Sequence, residues 1–497
     1  MATSTSEANN NASIWSGKLL PITLANLTVV AVAAFDGLAI VAALPNITKD
    51  LGNVSLTPWV ITSFLATSAI AAIAAGPIID AIGVRKTFRI TGIWFLLTSL
   101  AAAVAPNLQM LIIFRALQGI GGGLVIAVAL ASVGLAYPDS LRPQAFAANS
   151  MVWGTLGLGG PALAAVLLEF GGWRLIFFVQ LPITTLALFM GWGTLPDTDE
   201  TRRLRDIEFD ATGITVLSVA ITSSLVAVTQ IASRWIASVI LFSVAFIAAR
   251  VYWSHSGRHP KPVLERQHLT RFPLNRIHLV AGLAVLTGLA IDNYLPLYMQ
   301  TTRGRSETLA AFSVVFVTVG WTISAFLASR LLNSRKEEEV ILLGSLMMPL
   351  SVCLAGTSVA LGWALPVLFF SFFLVGFSIG FISTSGLTLL QSKSDPSEMG
   401  RSNSAHQFIR TLSISYGVAM AGAILLAVVN HKTGDVEAVR NVLSGENLSI
   451  SDSTSQAIGS GFAWIHVLGI GTSLIGMAVA ISLIRKSKLK RILPLSM

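Results

Sequence analysis

The chain is expected to be an all-α integral membrane protein. We expect about fourteen transmembrane helices, arranged as two six-helix bundles plus a central helix pair. Three observations predict this. Hydrophobic residues make up 54% of the 497 and charged residues only 11%, against ~25% charged in a soluble chain. The apolar residues gather in runs near the roughly 20 that cross a bilayer. Two short polar segments divide those runs six, two and six.

Residues 1–18 are Ser/Asn-rich and lack the basic start of a cleavable signal peptide. They read as a disordered cytoplasmic tail. Runs at 19–43, 57–79, 88–105, 109–135, 144–168 and 175–194 form the first bundle, residues 19–195. The linker, 196–275, carries two extra spans at 211–231 and 235–253. Runs at 277–297, 307–328, 339–359, 363–390, 405–430 and 462–484 form the second bundle, 276–484. The outer segment 430–461 reads as a flexible polar loop, and 485–497 as a basic cytoplasmic tail.

An even span count puts both termini on one side. With the N-terminus inside, the inner segments hold about 25 Lys+Arg and the outer ones about 7, the bias of a positive-inside topology. The net charge of +9 therefore reads as lipid orientation, not as a nucleic-acid patch. The expected location is the plasma (cytoplasmic) membrane, as a monomer. A single cysteine, Cys353, excludes an intrachain disulfide. No nucleophile–base constellation and no metal-ligand spacing appears, so neither catalysis, cofactor nor metal is expected.

Asp36 is the one charge in its run. It lies nine positions before Pro45, roughly 13 Å below the outer end at about 1.5 Å per residue. A carboxylate at that depth faces a partner or a wet cavity, because lipid cannot solvate it. Arg115 opens the fourth span, in Phe114-Arg115-Ala116-Leu117-Gln118-Gly119-Ile120-Gly121-Gly122-Gly123. A guanidinium keeps its proton, so it needs an acceptor or water. Asp36 is the only carboxylate placed within the middle of a first-half span. The four glycines suit close helix packing. Asp292, within the ninth span, is a second acidic candidate near an outer end that water can reach.

Gly76-Pro77-Ile78-Ile79-Asp80-Ala81-Ile82-Gly83-Val84-Arg85-Lys86 forms the inner turn between spans two and three. Asp80 there can accept backbone N–H bonds at a helix start or pair with a cation. Gly83 permits the tight turn, and Arg85 and Lys86 meet the inner leaflet. In span five, Gly154, Gly157 and Gly160 suit close packing, and Pro161 bends the helix. Lone histidines His406 and His466 read as solvated or packed. Asn447-Leu448-Ser449 has the form of a glycosylation sequon.

These motifs resemble those of the major facilitator superfamily. The inner turn is similar to its loop signature, with Ala81 and Val84 where the family has arginines. The Arg115 segment is similar to its fourth-span motif, whose arginine is tied to proton coupling. Gly154 to Ala165 resembles its antiporter motif, with Ala164 and Ala165 in place of two glycines. Phe35-Asp36 leading to Leu44-Pro45, Trp173-Arg174, Phe209-Asp210-Ala211-Thr212-Gly213, Tyr294-Leu295-Pro296 and Arg410 resemble features of the fourteen-span drug–proton antiporters.

The resemblance implies a secondary active exporter. It would move amphipathic, drug-like small molecules outward in exchange for protons by alternating access. Asp36, Arg115 and Asp292 would couple protons, and the Gly76 to Lys86 turn would gate. An importer of a small metabolite, by uniport or proton symport, is the alternative; a non-transporting receptor or scaffold is the third reading.

Overall fold

The structure is a computed structural model that describes residues 13–52, 59–196, 210–231, 234–434 and 451–492. Among the described residues the regular elements are helices. In order they are α1 (Leu19–Leu51), α2 (Trp59–Ile82), α3 (Val84–Ala103), α4 (Leu108–Ala136) and α5 (Arg142–Gly191). Next come α6 (Ala211–Gln230), α7 (Trp235–Ser256), α8 (Arg266–Thr270), α9 (Leu274–Asp292), α10 (Leu295–Thr301) and α11 (Glu307–Ser313). The chain continues with α12 (Val315–Leu331), α13 (Glu337–Ala360), α14 (Leu365–Lys393), α15 (Met399–Thr433) and α16 (Asp452–Ile492).

Eleven helical segments among the described residues are long and apolar enough to cross a membrane. Three of the expected runs fall outside that set. The α12 helix is short, and α3 carries Arg85, Lys86 and Arg89 in its first two turns. The third lies in α5, which carries two expected runs and contributes Val166–Gly191. Gly172 (φ 67°, ψ −172°) breaks α5 between those runs. The backbone stays helical through Pro161, whose side chain lies outside the described residues.

Several expected loops are helical or packed. Residues 13–18 are turns, with Ile14 buried and its carbonyl accepting from Thr23 at 2.7 Å, so this part of the tail is held down. The expected outer loop 430–461 is shortened at both ends, because α15 runs to Thr433 and α16 starts at Asp452. The basic stretch from Arg485 continues α16 to Ile492. Residues 1–12, most of the 196–210 segment, and the Asn447-Leu448-Ser449 sequon lie outside the described residues.

The chain forms two compact units. The first comprises Met1–Phe209 and Leu390–Gln407. Its helices pack closely through glycine: a Cβ on Gly119 would stand 2.4 Å from the Phe64 carbonyl oxygen, and one on Gly123 2.1 Å from that of Ser68. Those two glycines, one helical turn apart, bring α4 against α2 backbone to backbone. The core beside them includes Phe35, Ile40, Ile47, Leu111, Ile176 and Phe177. At its edge Asp50 accepts from Arg174 at 2.6 Å and from Trp173 Nε1 at 3.0 Å. These bonds hold the Asp50 carboxyl below the ordinary carboxylate range, and they pin the end of α1 just past the α5 break.

The second unit comprises Asp210–Leu389 and Phe408–Met497. In it α6 packs against α7, and α16 lies along α9 and α13. A Cβ on Gly376 would stand 1.8 Å from the Val317 carbonyl oxygen, so α14 and α12 also meet backbone to backbone. Asp210 ties the start of α6 to the segment after α7. Its Oδ1 accepts from Gly213 N at 2.7 Å and pairs with His255 Nε2 at 2.6 Å, while Oδ2 accepts from Val263 N at 3.1 Å. Burial raises the Asp210 carboxyl, and these bonds more than offset it, leaving it below its ordinary range. Phe246 on α7 is 74% exposed and Ile247 61%. Apolar faces open to this degree belong against lipid tails.

Candidate functional site

The buried polar centre of the first unit is a closed ring of side chains from α1, α3, α4 and the second half of α5. Asp36 and Arg115 are both essentially inaccessible to solvent, at 0% and 1%. Arg115 Nη1 faces both carboxylate oxygens, at 2.8 and 2.9 Å. The same nitrogen donates to Gln118 Oε1 at 2.6 Å. Gln118 Nε2 donates to Gln180 Oε1 at 2.9 Å and to Ser99 Oγ at 2.8 Å. Gln180 Nε2 then donates back to Asp36 Oδ1 at 2.9 Å.

The ring has one consistent direction. Each amide turns its carbonyl towards the cation side and its NH2 towards the anion side. Cation and anion are thus joined directly and also through two amides. The Arg115 Nε donates to the Val60 carbonyl at 3.2 Å. The Phe64 and Phe177 rings close over the guanidinium, with centroids 4.2 and 5.8 Å from its carbon. Burying an ion pair costs several kcal/mol per ion, and only dense hydrogen bonding of this kind offsets it. A ring satisfied at every member is held by all of them, so a change of charge at Asp36 disturbs four helices at once.

The sequence pairs Asp36 with Arg115; it leaves Gln118, Gln180 and Ser99 unassigned. Gln118 had a legible signal, since it stands three positions after Arg115 on one helix face. Gln180 is the only carboxamide in the 175–194 run, which was its signal. Ser99 has none, because serine is common in membrane helices.

The inner turn makes a second polar contact inside the first unit. Asp80 Oδ1 accepts from Gly400 N at 2.9 Å and Oδ2 from Arg401 N at 3.2 Å. Arg401 Nε lies 3.5 Å from Oδ2. Asp80 therefore serves as acceptor at a helix start and as partner of a cation together, and the helix is α15. The carboxylate sits where the α15 dipole is positive. Gly76 is required by the same approach, since a Cβ there would stand 2.7 Å from Arg401 Cα. Gly83 takes φ 80°, as its turn role needs. Arg85 donates to the Leu195 carbonyl at 2.7 Å, and Lys86 is exposed.

The remaining candidates are more dispersed. Gly154 and Gly160 are buried and Gly157 half-buried in the first part of α5. Asp292 lies in the second unit at the end of α9. Its Oδ1 is buried with no hydrogen-bond partner among the described residues, whereas the sequence placed it within reach of water. The reason is local: α10 begins only three residues later, and Leu295 beside it is fully buried. His466 is packed between the rings of Phe372 and Phe462. No group of three or more metal-ligating side chains occurs among the described residues.

Comparison with known proteins places this architecture. A probable multidrug-efflux transporter of Mycobacterium tuberculosis is 27% identical over 435 residues, covering 83% of this chain and 88% of that protein. The multidrug transporter protein MdtP of Bacillus subtilis is 25% identical over 399 residues, covering 80% and 73%. Among solved structures, the human organic anion transporter MFSD10 matches with TM-score 0.65 at 14% identity, covering 92% of this chain and 100% of that one. The proton:xylose symporter XylE matches with TM-score 0.59 at 15% identity, covering 91% and 94%. These two carry different cargoes on one fold, so the fold alone does not choose a substrate. The family model of the Major Facilitator Superfamily matches residues 27–418, most of the chain. The chain is a multi-pass membrane protein, and it belongs to the Major Facilitator Superfamily, whose members are transporters rather than enzymes.

Proposed function

We infer that this transporter exports amphipathic organic compounds across the plasma membrane in exchange for protons, by alternating access. The observation that carries this reading is the buried Asp36–Arg115 pair inside a fully bonded ring. Asp36 is the one member whose charge a single proton cancels. Protonation removes the attraction that holds Arg115, Gln118 and Gln180 in their present arrangement. A ligand that favours one arrangement then changes proton affinity, and the proton changes ligand affinity by the same factor. The names of the relatives favour outward movement of drugs.

In this reading the spans number fourteen and both termini are cytoplasmic, following the basic asymmetry of the loops. Asp292 is a second proton site. The Gly154, Gly157, Gly160 and Pro161 segment sets direction. Asp80 on the start of α15 is a gate latch that must release for the transporter to change state.

Everted membrane vesicles test it. Energised vesicles should accumulate a cationic dye and collapse part of the pH gradient as they do so. Accumulation with no proton movement would leave a uniporter. Loss of dye from the vesicles coupled to the gradient would make the protein an importer, and no movement of any compound would leave a receptor or scaffold.

A further inference from the structure

Arg410, on α15, is half-buried, and its Nε is sealed from solvent with no hydrogen-bond partner among the described residues. The neighbour it does have is the half-buried Trp321 of α12, whose ring centroid lies 5.7 Å from the guanidinium carbon. The contrast with Arg115 is direct. The buried Arg115 guanidinium has a full set of acceptors, whereas that of the half-buried Arg410 has an aromatic face alone. Arginine cannot shed its proton, so an unmatched one within a membrane helix is costly and marks a place for an anion.

Asp292 does not supply that anion. Three contacts set the register of α9 and the turn after it against α15. A Cβ on Gly282 would stand 2.7 Å from Ser413 Oγ and 3.5 Å from Ile409. A Cβ on Gly417 would stand 2.6 Å from the Leu286 carbonyl oxygen. Tyr294 donates to the Val418 carbonyl at 3.2 Å. Arg410 is therefore level with the region of Gly282, and Asp292 lies about ten residues on, roughly 15 Å along the helix. The two groups are unmatched separately, at different depths.

A guanidinium beside an indole face recognises two things together. The fork of N–H donors takes a carboxylate, and the ring face stacks a flat apolar body. We propose that Arg410 and Trp321 form a recognition site for aromatic carboxylates among the compounds this protein moves. The inference rests on the export reading for its physiological meaning, but the site binds such compounds whether or not they are exported. The same donors would also accept a lipid phosphate, so the lipid must be varied.

The test uses the full-length chain in nanodiscs of phosphatidylcholine, with and without phosphatidylglycerol. The probes are naphthoate and its uncharged analogue naphthamide, with binding measured by calorimetry. Naphthoate should bind at least about tenfold more tightly than naphthamide, the difference one charge-assisted bond makes. Arg410→Gln should erase that preference. Arg410→Lys should keep part of it, since the charge remains but the planar fork is lost. Trp321→Leu should weaken both probes alike. If Arg410→Gln does not insert, Arg410→Lys and Trp321→Leu carry the comparison. A preference for naphthoate that survives Arg410→Gln, or that is undiminished in Arg410→Lys, would overturn the proposal, as would unchanged binding of both probes by Trp321→Leu. So would phosphatidylglycerol displacing naphthoate completely, which would make the occupant a lipid headgroup. Arg410-dependent binding by a protein whose vesicles transport nothing would sink the export reading and leave this site standing.

Discussion

Gln180 donates to the carboxylate of Asp36 at 2.9 Å across 144 positions of the chain. That bond closes the polar ring, because the other amide, Gln118, reaches Asp36 only through Gln180 and Arg115. Without it the ring is an open chain whose last amide lacks its acceptor. Gln180→Leu is thus expected to cost about 1–3 kcal/mol, the penalty of unsatisfied buried polar groups. Gln118→Leu should cost a similar amount. The double variant should lose less than the sum, since each change already breaks the one bond the two amides share. Thermal unfolding of the detergent-purified proteins measures this, and strict additivity would show that the two amides are independent.

The ion pair makes a stronger claim. Arg115→Ala leaves Asp36 buried without its cation and should destabilise the protein by about 3–5 kcal/mol. Asp36→Asn in that background should recover part of the loss. It should not recover proton coupling, because asparagine cannot titrate. Unfolding midpoints and substrate-induced proton release, read on the same preparations, separate the two effects. Proton release that survives in Asp36→Asn would move coupling to another group, with Asp292 next to be tested.

Close packing sets the third expectation. Gly123→Ala places a Cβ 2.1 Å from the Ser68 carbonyl oxygen, so α2 and α4 must part. The expected loss is about 1–3 kcal/mol, in the range of overpacked cores. Gly159→Ala, with nothing within 4 Å of the added Cβ, is the control and should change little. Equal stability of the two variants would refute tight packing at Gly123.

Asp80 holds the start of α15 by two backbone bonds and one cation. Asp80→Asn keeps an acceptor but gives up the charge, whereas Asp80→Ala gives up both. Transport should therefore fall in the order wild type, Asp80→Asn, Asp80→Ala at equal membrane abundance. Vesicle uptake at matched expression tests the order. Equal turnover in all three would make Asp80 an ordinary turn residue.

The fifth expectation concerns pH. The folded state holds the Asp210 carboxyl below its ordinary range, through His255, Gly213 and Val263 against the opposing effect of burial. A carboxyl lowered by folding adds stability that is complete above its unfolded value, near 3.9, and is lost as pH falls through the lower folded value. The stability gap between wild type and Asp210→Asn should therefore hold from about pH 6 to pH 5 and close below about pH 4. Melting temperatures across that range check it. A gap that widens on acidification would contradict the sign.

The sequence by itself determined that this chain is a helical membrane protein of one superfamily. Span length and hydropathy are local, and so are the glycines, the loop charges and the two conspicuous charges Asp36 and Arg115. Their pairing was legible because a first-half carboxylate at membrane depth had a single cation to meet. Only the tertiary structure decided the rest. Gln180 joined the ring because α5, broken at Gly172, packs against α1 and α3, and Ser99 joined it from α3. Asp80 met the start of α15 some 320 positions away, which no local spacing records. Arg410 was left unmatched because the register of α9 against α15 puts Asp292 at a different depth, and register is set by side-chain contacts between helices. A sequence displays its charges one at a time; which of them are neutralised depends on how the helices are folded together.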